Sequence, residues 1–218
     1  MTGRGPAQRL LWHISRGPRR FGTPALRVAR ASPSVPPVSF TLVLGPMKSG
    51  KSLELISLLS PLAHTNVRHA VYQSSRHERD ASVVSRVGGV LATAKVRHLA
   101  AALDEPVDVV GIDEVHMFGP ADVDVVATLL ERGTDVVAAG LDLDHRGRLF
   151  APVRGLLELA PDRVVHRRAV CDLCREFSAT HTQVLHHGEP YLTDVVGALP
   201  DDGTFSYEAR CRRCFAGV

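Results

Sequence analysis

The sequence predicts an α/β fold: a parallel sheet with helices on both faces, followed by a small cysteine-bearing domain. Three observations predict it. Apolar, β-rich segments alternate with helical patterns between residues 39 and 141, as expected of strands buried on both faces beneath crossover helices. A glycine-rich loop lies where the first strand meets the first helix. After about Pro161 the segments shorten, Gly, Pro and His become frequent, and all four cysteines follow residue 170.

The elements follow in order. Ser39-Phe-Thr-Leu-Val-Leu44 is β-rich and stops at Gly45, as a buried strand should. Residues 51–62 interleave Leu55, Ile56, Leu58 and Leu59 with polar positions at helical spacing. Residues 67–72 read as a second strand and residues 94–103 as a helix. Residues 107–112 form a near-continuous apolar strand ended by Asp113-Glu114. Residues 121–132 are helical and closed by Gly133. Residues 136–141 form another buried strand. The expected organisation is a basic extension (1–37), an α/β domain (38–160) and a cysteine-bearing domain (161–218).

The net charge of +3 comes from 26 Lys+Arg against 23 Asp+Glu. Seven Arg and no Lys, Asp or Glu lie within residues 1–38, so the remainder carries 19 basic and 23 acidic groups, a balance of −4. A mildly acidic folded part argues against a broad nucleic-acid-binding face. No apolar run approaches the roughly 20 residues of a membrane span, so neither nucleic acid nor membrane is an expected partner. Residues 1–37 are rich in Arg, Pro, Gly and Ser and predict a disordered extension. An organelle-targeting peptide and an early start codon are the alternatives. With no signal-peptide core, the cysteines are expected in a reducing, cytoplasmic setting and not in a disulfide framework.

Gly45-Pro46-Met47-Lys48-Ser49-Gly50-Lys51-Ser52 satisfies G-x-x-x-x-G-K-[ST] at every required position, between a predicted strand and a predicted helix. Glycines let the backbone wrap a phosphate with its N–H groups inward, and the helix N-terminus adds positive potential. Lys51 reaches the β- and γ-phosphates of a nucleotide, and the Ser52 hydroxyl helps hold Mg²⁺. The α/β domain is therefore expected to be of the P-loop NTPase type and to use ATP. Asp113, at the tip of a buried strand, matches the carboxylate that faces Mg²⁺. Glu114 beside it could accept a proton from an attacking hydroxyl or water, and the pattern alone leaves an ordinary surface Glu equally open.

Cys171-Asp-Leu-Cys174 and Cys211-Arg-Arg-Cys214 are two knuckles with two-residue gaps. Four thiolates so placed can complete a closed, structural tetrahedral Zn²⁺ site. The 36 residues between the knuckles exceed the usual ribbon spacing, so a long loop must leave the site and return.

Together these features resemble the type II thymidine kinase family over residues 40–215. The most specific pieces are the phosphate loop, Gly111-Ile-Asp-Glu-Val-His-Met-Phe118, Gly140-Leu-Asp-Leu-Asp-His-Arg-Gly-Arg-Leu-Phe150, Val196-Gly-Ala198 and Tyr207-Glu-Ala-Arg-Cys-Arg-Arg-Cys214. The resemblance implies that Glu114 is the catalytic base toward a nucleoside 5′-hydroxyl, and that Asp113 accompanies Mg²⁺. His116 stands on the ATP side. It implies a lasso loop, anchored by the zinc ribbon, whose Thr193, Asp194, Val195, Val196 and Gly197 grip the base. Met47, Leu141, His145, Phe150, Thr182 and Tyr207 then border the nucleoside. It further implies thymidine and ATP as substrates, nucleotide salvage, feedback by dTTP, a homotetramer and a cytoplasmic enzyme.

The sequence departs from the family pattern at several positions. Lys48 replaces a usual Phe in the loop, His145 a usual Phe, Met117 a frequent aromatic and His116 a frequent Gln. The spacing from Cys174 to Thr182 is one residue longer than usual, and residues 199–204 enlarge the lasso. The Arg expected after the second strand corresponds to Arg76 or Arg79. Because His145 and Met117 alter the pocket wall, deoxyuridine is an expected substrate too. The competing expectation is a zinc-ribbon ATP-binding regulatory protein without kinase activity.

Overall fold

Strands read from apolar runs fall into one sheet because each run hides its backbone polar groups against its neighbours. In the computed structural model, which describes residues 38–76, 83–84, 89–193, 199 and 203–217, β1 (Phe40–Leu44) leads into α1 (Lys51–Leu59). Next come β2 (His69–Ser74), β3 (Val83–Val84), β4 (Val90–Leu91), β5 (Ala94–Val96) and β6 (Val109–Asp113). After α2 (Ala121–Glu131), β7 (Asp135–Gly140) and α3 (Ala151–Glu158), the chain continues through β8 (Arg163–His166), β9 (His181–His186), β10 (Glu189–Pro190) and β11 (Phe205–Arg210). Six strands form a parallel sheet in the order β5-β2-β6-β7-β1-β8. A second, antiparallel sheet has the order β10-β9-β11, and β3 pairs with β4. The described residues belong to one compact unit, Pro37–Val218.

The period-2 alternation of side chains decides which helix covers which face. Phe40, Leu42 and Leu44 of β1, Val110 and Ile112 of β6, and Val136 and Ala138 of β7 share one face with Val126 and Leu129 of α2 and Val153 and Leu156 of α3. Val43 and Ala139 point the other way, onto Leu55, Ile56 and Leu59 of α1. Leu42, Val43 and Leu44 have no exposed surface; burying each such side chain contributes about 1.5–3 kcal/mol. Helices thus cover both faces, as expected. Gly111 makes the α1 side possible, because a Cβ there would run into the Leu59 and Val71 side chains.

The helix expected over residues 94–103 is not formed. Ala94, Lys95 and Val96 pair in parallel with Tyr72, Gln73 and Ser74 at the sheet edge, and only Leu99–Leu103 turns, as a 3₁₀ segment. Pairing with an available strand edge outweighs a weak local helical pattern. The turn is held by Asp122 of α2, whose Oδ1 accepts from Leu99 N–H at 2.6 Å. The first helix is shorter than 51–62, since Pro61 falls in a 3₁₀ turn, Ser60–His64. Sequence reasoning missed α3, the short strands β3 and β4, the strands β9, β10 and β11 of the second sheet, and β8, which pairs with β1 beyond residue 160 and completes the large sheet.

Candidate functional site

The phosphate loop leaves the C-terminal end of β1, between β7 and β8. Its backbone takes positive φ three times, at Gly45 (146°), Lys48 (63°) and Gly50 (82°). Gly45 is required by space as well: a Cβ there would strike the Arg167 carbonyl. Arg167, directly after β8, brackets the loop from outside. Its N–H donates to Leu44 O at 2.8 Å, its Nε donates to Ser49 O at 3.4 Å, and its guanidinium lies 3.5 Å from Glu54. Lys51 is buried, and its Nζ donates to Pro46 O at 2.8 Å, so the ammonium already points into the loop's concavity. Ser49 Oγ is buried with no hydrogen-bond partner among the described residues.

The tip of β6 faces the same end of the sheet. Asp113 is 3% exposed. Burial first, and then the neighbouring Glu114 charge, raises its pKa to about 8. Gln73, its cross-strand partner on β2, donates through Nε2 to Asp113 Oδ2 at 3.3 Å. Gln73 Oε1 is buried with no partner among the described residues. A costly carboxylate beside an unused carbonyl oxygen fits a site for a hard cation. Ser52, at the start of α1, and Asp113 are the residues that would hold Mg²⁺.

Glu114 occupies a left-handed conformation (φ 52°, ψ 44°) that opens a 3₁₀ turn, Val115–Met117. Such a conformation costs a non-glycine residue about 1–3 kcal/mol. It is this turn, not continued strand alternation, that places the two adjacent carboxylates in different surroundings. Gly140 at the end of β7 gives the turn room, since a Cβ there would lie 2.9 Å from Val115 N. Leu141 N–H donates to His116 Nδ1 at 3.3 Å, which puts the neutral ring's proton on Nε2. Glu114 Oε2 is 3.4 Å from the same Nδ1, and a nitrogen that accepts from Leu141 cannot donate to Glu114. His116 also stands against Phe150, with ring centroids 4.9 Å apart. Of the two arginines after β2, Arg76 reaches this turn, donating to Met117 O at 3.4 Å; Arg79 lies outside the described residues.

The four cysteines converge, with their sulfur atoms all within 4.8 Å of one another. Cys174 and Cys211 Sγ are 3.8 Å apart, the edge of a tetrahedron with Zn–S bonds of about 2.3 Å, or ~3.8 Å. Burial alone would raise the Cys171 thiol, but N–H groups of Cys174, Cys211 and Leu173 outweigh it and hold it near about 6. The donor set, its spacing and the inward N–H groups fit structural zinc.

The matching family model is that of thymidine kinase, over residues 38–215. The chain belongs to the thymidine kinase family. A thymidine kinase of Mycoplasma capricolum subsp. capricolum is 35% identical over 184 residues, covering 80% of this chain and 87% of that protein. A thymidine kinase of Deinococcus deserti is 37% identical over 190 residues, covering 78% of this chain and 91% of that protein. Membership makes the protein a nucleotide-binding kinase, and no helix among the described residues is long and apolar enough to cross a membrane.

In this thymidine kinase family member the residues expected around the nucleoside fall into two groups. Thr182 on β9 reaches the loop, its Oγ1 accepting from Met47 N–H at 3.0 Å. His145 is buried, and its Nε2 donates to Thr193 O at 3.0 Å, with Tyr191 alongside at 5.6 Å between centroids. It therefore ties the segment after β7 to the segment that follows β10. Leu141 and Phe150 stand at the His116 wall, and Tyr207 lies on β11 opposite Val184. Asp194, Val195, Val196 and Gly197 lie outside the described residues, as do residues 1–37. Sequence reasoning missed Gln73, Arg167 and Asp172. Asp172 binds Lys48 across 124 positions of chain, and nothing in the Cys-x-x-Cys spacing signals that partner.

Proposed function

We propose that the protein transfers the γ-phosphate of ATP to the 5′-hydroxyl of thymidine, and of deoxyuridine, giving the 5′-monophosphate and ADP. The observation that carries this reading is Glu114: a partly exposed carboxylate in a strained turn, directly after the buried Asp113 and beside His116. A nucleoside hydroxyl is a weak nucleophile, and Glu114 would accept its proton as the phosphoryl group passes. Residues 45–52 would hold the phosphates, with Lys51 turning from Pro46 O toward them. Mg²⁺, held by Ser52 and Asp113, would neutralise phosphate charge. Met47, Leu141, His145, Phe150, Thr182, Thr193 and Tyr207, with residues 194–197, would border the nucleoside. Zinc on Cys171, Cys174, Cys211 and Cys214 would anchor both ends of the lasso.

In keeping with the family, we take the enzyme to act in cytoplasmic nucleotide salvage as a homotetramer restrained by dTTP. The test is an assay of the full chain with MgATP and a panel of nucleosides. Stoichiometric ADP and thymidine monophosphate are expected. ATP binding without phosphate transfer to any nucleoside would favour the regulatory alternative.

A further inference from the structure

Two consecutive residues of the phosphate loop end on one rung of the cysteine hairpin. Met47 N–H donates to Thr182 Oγ1 at 3.0 Å, and Lys48 Nζ donates to Asp172 Oδ2 at 2.7 Å. Thr182 on β9 is the cross-strand partner of Ala209 on β11. Ala209 N–H donates to that same Asp172 Oδ2 at 2.6 Å, and Asp172 N–H donates back to Ala209 O at 2.7 Å. Asp172 lies between Cys171 and Cys174, and Ala209 lies two residues before Cys211. A single carboxylate oxygen thus carries one bond that joins the two knuckles and one that joins them to the loop.

The loop pattern does not require a lysine at this position, which contributes to phosphate binding through its backbone. Its side chain is available for another task. The left-handed backbone at Lys48 and side-chain exposures of 35% and 21% for Lys48 and Asp172 leave the pair partly screened by solvent but geometrically fixed.

We propose that Lys48 is a positioning residue that latches the phosphate loop to the cysteine hairpin, so that nucleotide binding at the loop and metal retention by the four cysteines reinforce each other. The effect follows from linkage: if an ordered hairpin favours the phosphate-receiving loop, an occupied loop must favour the ordered hairpin by the same factor. This proposal rests on the reading of residues 45–52 as the ATP loop.

The test uses the full-length, zinc-loaded protein and follows zinc transfer to a chelating dye, with and without saturating MgATP. In the parent, MgATP should slow zinc release about two- to fivefold, the most that a partly exposed ion pair supports. Lys48→Arg should retain the protection, whereas Lys48→Met and Asp172→Asn should lose it. Asn keeps an oxygen for Ala209 N–H, so the Asp172 variant reports on charge and not on a broken hairpin. The KM for ATP should rise by a similar factor in Lys48→Met, with a smaller change in kcat. Equal protection of zinc in the parent and in Lys48→Met would overturn the latch. Calorimetry separates the two levels of the argument: a parent that fails to bind ATP sinks the functional reading and the latch with it, whereas ATP binding without zinc protection sinks the latch alone.

Discussion

Replacing Asp113 with Asn should stabilise the protein while disabling it. Asn has the same shape and can still accept from Gln73, but it carries no charge to desolvate. The folded-state pKa of about 8, against 3.8 for the free group, means that at pH 7 folding must pay for protonating a carboxyl that the unfolded chain keeps ionised. That gap of roughly three units is worth ~4 kcal/mol. With half of it discounted because solvent partly screens the Glu114 charge, about 2 kcal/mol remains, or ~4–8 °C in Tm for a unit of this size.

The sign is definite. A raised folded-state pKa gives stability that is fully present below the unfolded pKa and is lost as pH rises toward the folded one. The gap between Asn variant and parent should therefore be small at pH 4, widen through pH 5 to 7, and level off above pH 8. Differential scanning calorimetry without added Mg²⁺ or nucleotide reads it directly. If the Asn variant melts at or below the parent temperature at pH 8, Asp113 is not a desolvated carboxylate and the account of the β6 tip fails.

Three further outcomes are expected. Glu114→Gln should bind ATP and thymidine as the parent does but turn over about 10²–10⁴-fold more slowly, the usual worth of a general base; turnover within a few-fold at saturation would remove Glu114 from that role. Lys51→Ala should abolish phosphate transfer while far-ultraviolet circular dichroism stays unchanged, and near-normal activity would exclude these residues as the ATP loop. Protein purified under reducing conditions should carry one zinc per chain, and Cys211→Ser should lower both zinc content and melting temperature, because metal binding at a closed site is coupled to folding; metal analysis that finds none would refute the site.

What was legible in the sequence was what local chemistry dictates. Gly45, Gly50 and Lys51 sit in a pattern whose spacing is set by the width of a phosphate, so loop, preceding strand and following helix could be placed together. The apolar runs of β1, β6 and β7 are buried on both faces, and no polar alternation blurs them. Residues 94–103 misled because their small apolar residues suit a helix, while the strand edge that recruits Ala94–Val96 is supplied by β2 twenty residues earlier. β8 went unread because its Arg-Val-Val-His is mostly exposed at the sheet edge and lacks an apolar signature. At the site, Glu114 was identifiable, but its left-handed backbone and the Leu141–His116 bond that keeps the imidazole from engaging it depend on β7 lying next to β6. Asp172 was hidden for the same reason: its significance lies in a lysine far away in the chain.

The position of β1 has a consequence for how the chain is made. Both neighbours of this strand, β7 and β8, come from late in the sequence. During synthesis at ~5–20 residues per second, the roughly 120 residues separating Leu44 from Arg163 take on the order of 6–24 s to emerge. Until β7 emerges, roughly 90 residues after Leu44, Phe-Thr-Leu-Val-Leu has two bare edges, and the edge that takes β8 stays open for the rest of that interval. The first of the described strands to be translated is thus among the last to be enclosed, making it the natural binding stretch for a chaperone and the natural seed for aggregation of prematurely terminated chains. A nascent chain shorter than 167 residues also lacks Arg167, whose backbone and side chain close the outer side of the phosphate loop.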